Sequence, residues 1–203
     1  MTNDALKRFI GQLPASDLWI FGYGSLMWNP GFRFVRKHPA RLFGFHRALC
    51  IHSTDHRGTR DQPGLVMGLA PGGSCHGIAF RVSQRRVVAT LRALWQRELC
   101  EELYSPRMVE IRTDSQRLCA LAFVVARDHA RYAGRLTPQD IACRVAACRG
   151  VRGSNIEYLS NTVAHLRSMG VRDRRLAEVM IAVGALDAAR DGRQRARARS
   201  ATV

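Results

Sequence analysis

The hydropathy pattern changes period once, near Thr137, and that change limits the folds open to the chain. From Leu18 onward apolar residues come in short runs broken by Gly, Pro and Asp, at 18–23, 41–52, 65–70, 76–82, 107–112 and 118–126. Runs of this length with such boundaries read as strands. One amphipathic helix interrupts them, at 85–101. After Thr137 the spacing is helical. Thr137-Pro138-Gln139-Asp140 supplies an N-cap, a proline for the first helical position and an acid for the first turn. Ser154-Asn155-Ile156-Glu157 fits a capping box ahead of a periodic apolar run, and a last helix is expected over 172–190. A short helix around 4–13, closed by Pro14, precedes the first strand. Strands first and helices last, with no β–α alternation, predict an α+β fold and exclude a doubly wound sheet. The expected core is a small, antiparallel-rich, curved or closed sheet with flanking helices. The domain division that follows is a lead-in over 1–17, one domain over 18–190 and a basic, flexible tail over 191–203.

A chain of 203 residues buries roughly 70% of its unfolded surface, so neither disulfides nor a structural metal are needed. The longest apolar run, 118–126, is far short of the ~20 residues of a spanning helix, so no membrane association is expected. The N-terminus has an acid, Asp4, where a secretion signal needs a basic start, which predicts a cytoplasmic protein. Six cysteines (50, 75, 100, 119, 143, 148) contain no Cys-x-x-Cys pair and sit among apolar residues, so they read as buried free thiols. The formal charge of +16 suggests a nucleic-acid binder, yet all 32 basic residues except Lys7 and Lys37 are arginine, and they are scattered. Aromatics are not interleaved with them as stacking platforms require. The charge is a diffuse field favouring anions in general, with no specific nucleic acid expected.

Three segments carry candidate chemistry. On the 85–101 helix, Val87, Leu91, Leu94 and Trp95 define an apolar face, and Glu98 falls within about 20° of Val87 on the wheel. A carboxylate on a buried face is costly unless paired, its proton affinity rises, and a Glu so tuned suits a general base. The alternative is a Glu at a helix end that has already left the core, or one paired with an Arg. The second segment, Trp19-Ile20-Phe21-Gly22-Tyr23-Gly24-Ser25-Leu26, runs a strand into two glycines, where a ligand could approach backbone N–H groups. It is neither a dinucleotide fingerprint nor a nucleophile elbow, because the third glycine of the first and the flanking glycines of the second are missing. A tight turn without a ligand is the plainer alternative. The third, His52-Ser53-Thr54-Asp55-His56-Arg57-Gly58, spaces two histidines by four, but its turn residues argue against the helix a metal pair would need, so no metal is expected.

Together these segments resemble the ChaC family of glutathione-specific γ-glutamylcyclotransferases. The likeness runs in order through Trp19 to Trp28, Arg41-Leu42-Phe43-Gly44-Phe45, Ser53 to Gly58, Pro63-Gly64, Gly77-Ile78-Ala79-Phe80-Arg81, Arg97-Glu98 and Ser154 to Leu159. The resemblance implies a barrel-like sheet with attached helices and cleavage of glutathione to 5-oxoproline and Cys-Gly. It implies a γ-glutamyl-binding loop at Ile20, Phe21, Gly22, Tyr23, Gly24 and Ser25, with Glu98 as proton acceptor. Tyr158 could line the pocket or serve as a core tyrosine. No cofactor is implied, and a monomer is expected. Family members often carry a Gly-Gly pair soon after this Glu, whereas Leu99-Cys100-Glu101-Glu102-Leu103 stand here. Two alternatives remain at this level: a cyclotransferase for other γ-glutamyl amines, and a basic nucleic-acid-binding domain on the same fold.

Overall fold

In a computed structural model of the chain, the described residues are 3–98 and 103–200, the side chains of 3, 5, 98, 187 and 190–200 excepted. Two compact units form, Met1–Ile51 with Met67–Tyr132, and His52–Val66 with Ala133–Val203.

The first unit holds a closed barrel of five strands: β1 (Leu18–Gly22), β2 (Arg36–Ser53), β3 (Gly64–Val82), β4 (Tyr104–Arg112) and β5 (Arg117–Val125). β2 beyond Ile51 and β3 before Met67 belong to the second unit. Their order around the barrel is β1-β3-β2-β4-β5. β1 runs antiparallel to β3, with Ile20 opposite Phe80, and parallel to β5, where Ile20 meets Leu121; this closure leaves no open sheet edge. Ile20, Phe21, Leu42, Phe80, Leu121 and Phe123 on these strands are all buried. The sequence expects separate strands at 65–70 and 76–82, but β3 is continuous. Its exposed Pro71-Gly72-Gly73 segment stays within the strand because Gly72 and Gly73 take φ of +96° and +72°, which bends the strand without ending it. β2 carries a similar irregularity at Gly44 (φ +83°): the buried set passes from Ala40 and Leu42 to Arg47, Leu49 and Ile51, one residue out of alternation.

Two helices complete this unit, α1 (Asn3–Gly11) and α2 (Gln84–Glu98). Asp17 starts α2 from a distance. One carboxylate oxygen accepts the Gln84 N–H at 2.9 Å, and the other meets Arg81 Nε at 2.7 Å. These bonds, the Gln84 N–H foremost, hold the Asp17 carboxyl below the usual carboxylate range against the opposing effect of burial. The expected apolar face of α2 is buried at Val87, Leu91, Leu94 and Trp95.

In the second unit, α3 (Pro138–Ala147), a two-stranded hairpin of β6 (Arg149–Gly150) and β7 (Gly153–Ser154), α4 (Asn155–Ser168) and α5 (Arg174–Ser200) follow in order. Thr137 and Asp140 form the full capping box of α3. At α4 only the Ser154 half forms, accepting the Glu157 N–H, because the Glu157 carboxylate is paired with Arg57. α5 runs to Ser200, past the expected end at 190, in keeping with an Arg/Ala composition of high helix propensity. No helix among the described residues is long and apolar enough to cross a membrane.

The cysteines divide where the sequence expects uniform burial. Cys50, Cys75 and Cys148 are buried, but Cys119 and Cys143 are exposed, and Cys100 lies outside the described residues. Cys119 lies near the start of β5, opposite Glu110 of β4. Burial pushes the Cys50 thiol up to about 12 and raises that of Cys148, so both are protonated at neutral pH.

Candidate active site

The turn after β1 is built from close backbone approaches that exclude side chains. A Cβ at Gly22 would stand 3.0 Å from the Leu26 Cβ, and one at Gly77 on the facing strand would stand 2.3 Å from the Gly22 carbonyl oxygen. Glycine at both positions lets β1 turn directly into a single 3-10 turn (Ser25–Met27), with Gly24 at its N-cap and no side chain capping it. Ile20, Phe21 and Tyr23 are buried, so their side chains serve the core. Of the six candidate loop residues, what remains for a ligand is the backbone of 20–25 and the half-buried Ser25.

Three anchors fix that backbone. The Tyr23 hydroxyl donates to the Phe123 carbonyl at 2.7 Å. Arg47, 4% exposed, donates from Nε to the Tyr23 carbonyl and from Nη2 to the His76 carbonyl, with Met27 Sδ 3.9 Å from Nη2. A guanidinium is held inside the barrel unit by aiming its fork at main-chain oxygens. Arg97 supplies the third anchor, donating from Nη2 to Ser25 Oγ at 2.8 Å and from Nη1 to the Asn29 carbonyl at 2.9 Å. The last turn of α2 is thereby tied to the turn after β1.

Glu98 is the residue after Arg97 and the last of α2; its side chain lies outside the described residues. So do residues 99–102 of the departure from the family's glycine pair. Leu103, at the end of that departure, is buried, and Tyr104 starts β4 with its hydroxyl donating to the Met67 carbonyl at 3.0 Å. Sequence reasoning missed Arg47 as an anchor. Its signal was an arginine in step with the inward Leu49 and Ile51, hidden by the parity change at Gly44.

The second unit gathers two of the sequence strings into one substructure. Ser53 Oγ accepts the Arg57 N–H, and the hairpin joins the loop through Val151 N–H to the Asp55 carbonyl and Arg152 N–H to the His56 carbonyl, both at 3.0 Å. Arg57 donates to the Ser154 carbonyl, pairs with Glu157 at 3.3 Å and lies over the Tyr158 ring at 5.5 Å. Asn155, fully buried, brackets Leu65: its Oδ1 accepts the Leu65 N–H at 2.6 Å and its Nδ2 donates to the Leu65 carbonyl at 2.7 Å. Tyr158 is therefore a buried residue under a guanidinium. His56 lies 3.6 Å from the Asp55 carboxylate and His52 lies 3.5 Å from Arg144. A cleft of about 620 Å³ in this unit, lined by Val163, Leu166, Arg167, Met180 and Ile181 among others, takes in none of the candidate site residues.

The fold built this way is shared with a solved γ-glutamylcyclotransferase. A crystal structure of a yeast gamma-glutamyl cyclotransferase specific to glutathione superposes with a TM-score of 0.78 at 22% identity, covering 84% of this chain and 96% of that one. The ChaC-like protein family model matches residues 18–186, and the chain belongs to that family. It is 36% identical over 167 residues to the glutathione-specific gamma-glutamylcyclotransferase of Escherichia coli K12, spanning 82% of this chain and 72% of the relative. To the human glutathione-specific gamma-glutamylcyclotransferase 1 it is 33% identical over 187 residues, 86% of this chain and 84% of the relative.

Proposed function

We propose that this protein cleaves glutathione by cyclising its γ-glutamyl group, releasing 5-oxoproline and Cys-Gly, with Glu98 as proton carrier and the 20–25 backbone as γ-glutamyl site. The observation that carries the reading is the tie from Arg97 to Ser25, which joins the helix end bearing Glu98 to the turn. Family membership and the names of the relatives favour glutathione over other γ-glutamyl amines.

The chemistry needs an amine, a carbonyl and one proton shuttle. The α-ammonium of the γ-glutamyl group gives a proton to the Glu98 carboxylate, and the freed nitrogen attacks the γ-carbonyl of the same residue. The C–N bond that forms closes a five-membered ring, and the carbonyl oxygen becomes an oxyanion. Backbone N–H groups around Gly22–Ser25 stabilise that charge, the role a rigid, preorganised turn is suited to. Protonated Glu98 then returns its proton to the cysteinyl nitrogen as the bond to it breaks. Glu98 carries the second proton of the ring nitrogen to the leaving amine in the same way, so the two protons that the α-nitrogen sheds in becoming a lactam N–H are the two that the leaving nitrogen gains, and the step balances without water or cofactor. Bringing amine and carbonyl of a flexible chain together is an orientation effect, supplied by the anchored turn.

Incubation of the purified protein with glutathione should yield 5-oxoproline and Cys-Gly in equal amounts. Glu98→Gln keeps the size of the side chain and removes the basic carboxylate, and should lower turnover by roughly 10²–10⁴-fold with its melting temperature little changed. Turnover of Glu98→Gln near that of the parent would refute the mechanism, and absence of products with the parent would refute the function.

A further inference from the structure

We propose that Arg97 is a positioning residue for this reaction: its guanidinium clamps the 25–31 segment to the last turn of α2 and so fixes where the following residue, Glu98, meets the γ-glutamyl turn. The inference rests on the reading of Glu98 as proton carrier. It goes beyond that reading by assigning the site's internal geometry to a residue that acts through Glu98.

Two observations carry it independently. The first is the hydrogen-bond set. Nη2 reaches Ser25 Oγ at 2.8 Å, while Nη1 reaches the carbonyl oxygens of Asn29 at 2.9 Å and Pro30 at 3.4 Å. A basic residue in the last turn of a helix ordinarily complements the helix's own terminal carbonyls. Arg97 directs these bonds to a segment 67 to 72 positions away in the chain, and a planar fork spans a hydroxyl on one side and two carbonyls on the other. The second observation is the space left for it. Gly31 adopts φ +73°, and a Cβ there would stand 3.1 Å from Arg97 Nη1. The segment closes around the guanidinium because its last position carries no side chain. Ser25 is at once the last residue of the γ-glutamyl turn and an acceptor of the clamp, so slack at Arg97 separates turn from base.

This division of labour predicts a split between binding and turnover. Arg47 and Tyr23 hold the turn without Arg97, so the γ-glutamyl group still binds, whereas a base displaced by about an ångström loses rate steeply, as much as 10²-fold. Arg97→Gln should therefore lower kcat about 10- to 100-fold with KM changed less than about threefold, and the acidic limb of its kcat–pH profile should move, since the base sits in altered surroundings. Arg97→Lys keeps the charge but not the fork and should recover only part of kcat. Gly31→Ala should reproduce the effect with Arg97 itself intact. Ser25→Ala should cost activity in the parent and little more in Arg97→Gln, the non-additivity of two halves of one contact.

The measurement is steady-state 5-oxoproline formation across pH for these variants, per folded molecule, with Glu98→Gln alongside. A fully active Glu98→Gln overturns the functional reading and this inference with it. An inactive Glu98→Gln beside an Arg97→Gln within twofold of the parent's kcat overturns the positioning role alone. Additive effects of Ser25→Ala and Arg97→Gln, or a loss in Arg97→Gln that is all in KM, overturn it equally. If Arg97→Gln does not fold, Arg97→Lys and Gly31→Ala carry the same test, and parent-like kcat in both overturns the proposal.

Discussion

Replacing Arg47 by Met isolates what one buried cation contributes to the turn after β1. Met fills similar volume without donors, so the Tyr23 carbonyl loses its Nε partner and the His76 carbonyl loses Nη2. A buried acceptor left without a donor costs about 1–3 kcal/mol, and the partly exposed His76 carbonyl, which water can reach, sits at the low end. Removing a buried charge offsets part of this, as hydrophobic replacements of buried ionic groups often do. The net expectation is a loss of about 2 kcal/mol, which for a chain of this size lowers the melting temperature by roughly 4–8 °C. The functional loss should exceed the structural one. The Tyr23 carbonyl is a fixed point of the backbone proposed to hold the γ-glutamyl group, and kcat/KM should fall by about 10- to 100-fold per folded molecule. Arg47→Lys should rescue little, since a single ammonium cannot serve two carbonyls at once. Urea unfolding and 5-oxoproline assays on the two variants check both numbers. An Arg47→Met protein with the parent's stability and kcat/KM would refute the claim that this guanidinium holds the turn.

Asn155→Leu removes both bonds to Leu65 and leaves a buried N–H and carbonyl unpaired, so a stability loss of roughly 2–4 kcal/mol is expected in chemical denaturation, with Asn155→Asp restoring only the acceptor half. The Asp17 carboxyl, held below the usual range by the Gln84 N–H, adds stability that is fully present above the unfolded carboxylate pKa, about 3.9, and disappears as pH falls through the lower folded value. Asp17→Asn keeps an acceptor for Gln84 but cannot titrate, so below about pH 4 its melting temperature should fall less steeply with acid than the parent's; parallel curves would contradict the assignment.

The chain's large-scale order was legible because it rests on local rules. Caps at Thr137 and Ser154, the apolar face of α2 and the period change near Thr137 all use neighbours within a few residues. What was not legible depends on partners far along the chain. Pro71-Gly72-Gly73 carries every local sign of a turn, yet β3 runs on through it beside β2, where Arg41 donates to Ser74 Oγ at 2.9 Å and His46 Nδ1 lies 2.9 Å from the Gly72 carbonyl, contacts that local propensity does not report. The exposure of Cys119, opposite Glu110 on β5, and of Cys143, on α3, is set by packing partners that local hydrophobicity does not report.

The site shows the same division more sharply. Its glycines were visible as a motif, but the reason for them was not: Gly22 and Gly77 are required by each other's strands, 55 positions apart in the numbering of the sequence. Its buried side chains at Ile20, Phe21 and Tyr23 belong to the core, so the proposed contact with substrate through main chain leaves little trace in side-chain chemistry. The residues that do carry a trace are the arginines aimed at carbonyls. In a sequence with 32 basic residues, Arg47 and Arg97 look like thirty others. They are distinguished by where their forks point: Arg47 at the oxygens of Tyr23 and His76, Arg97 at Ser25 and Asn29. A net charge that reads from the sequence as a diffuse field thus includes two cations whose work is local.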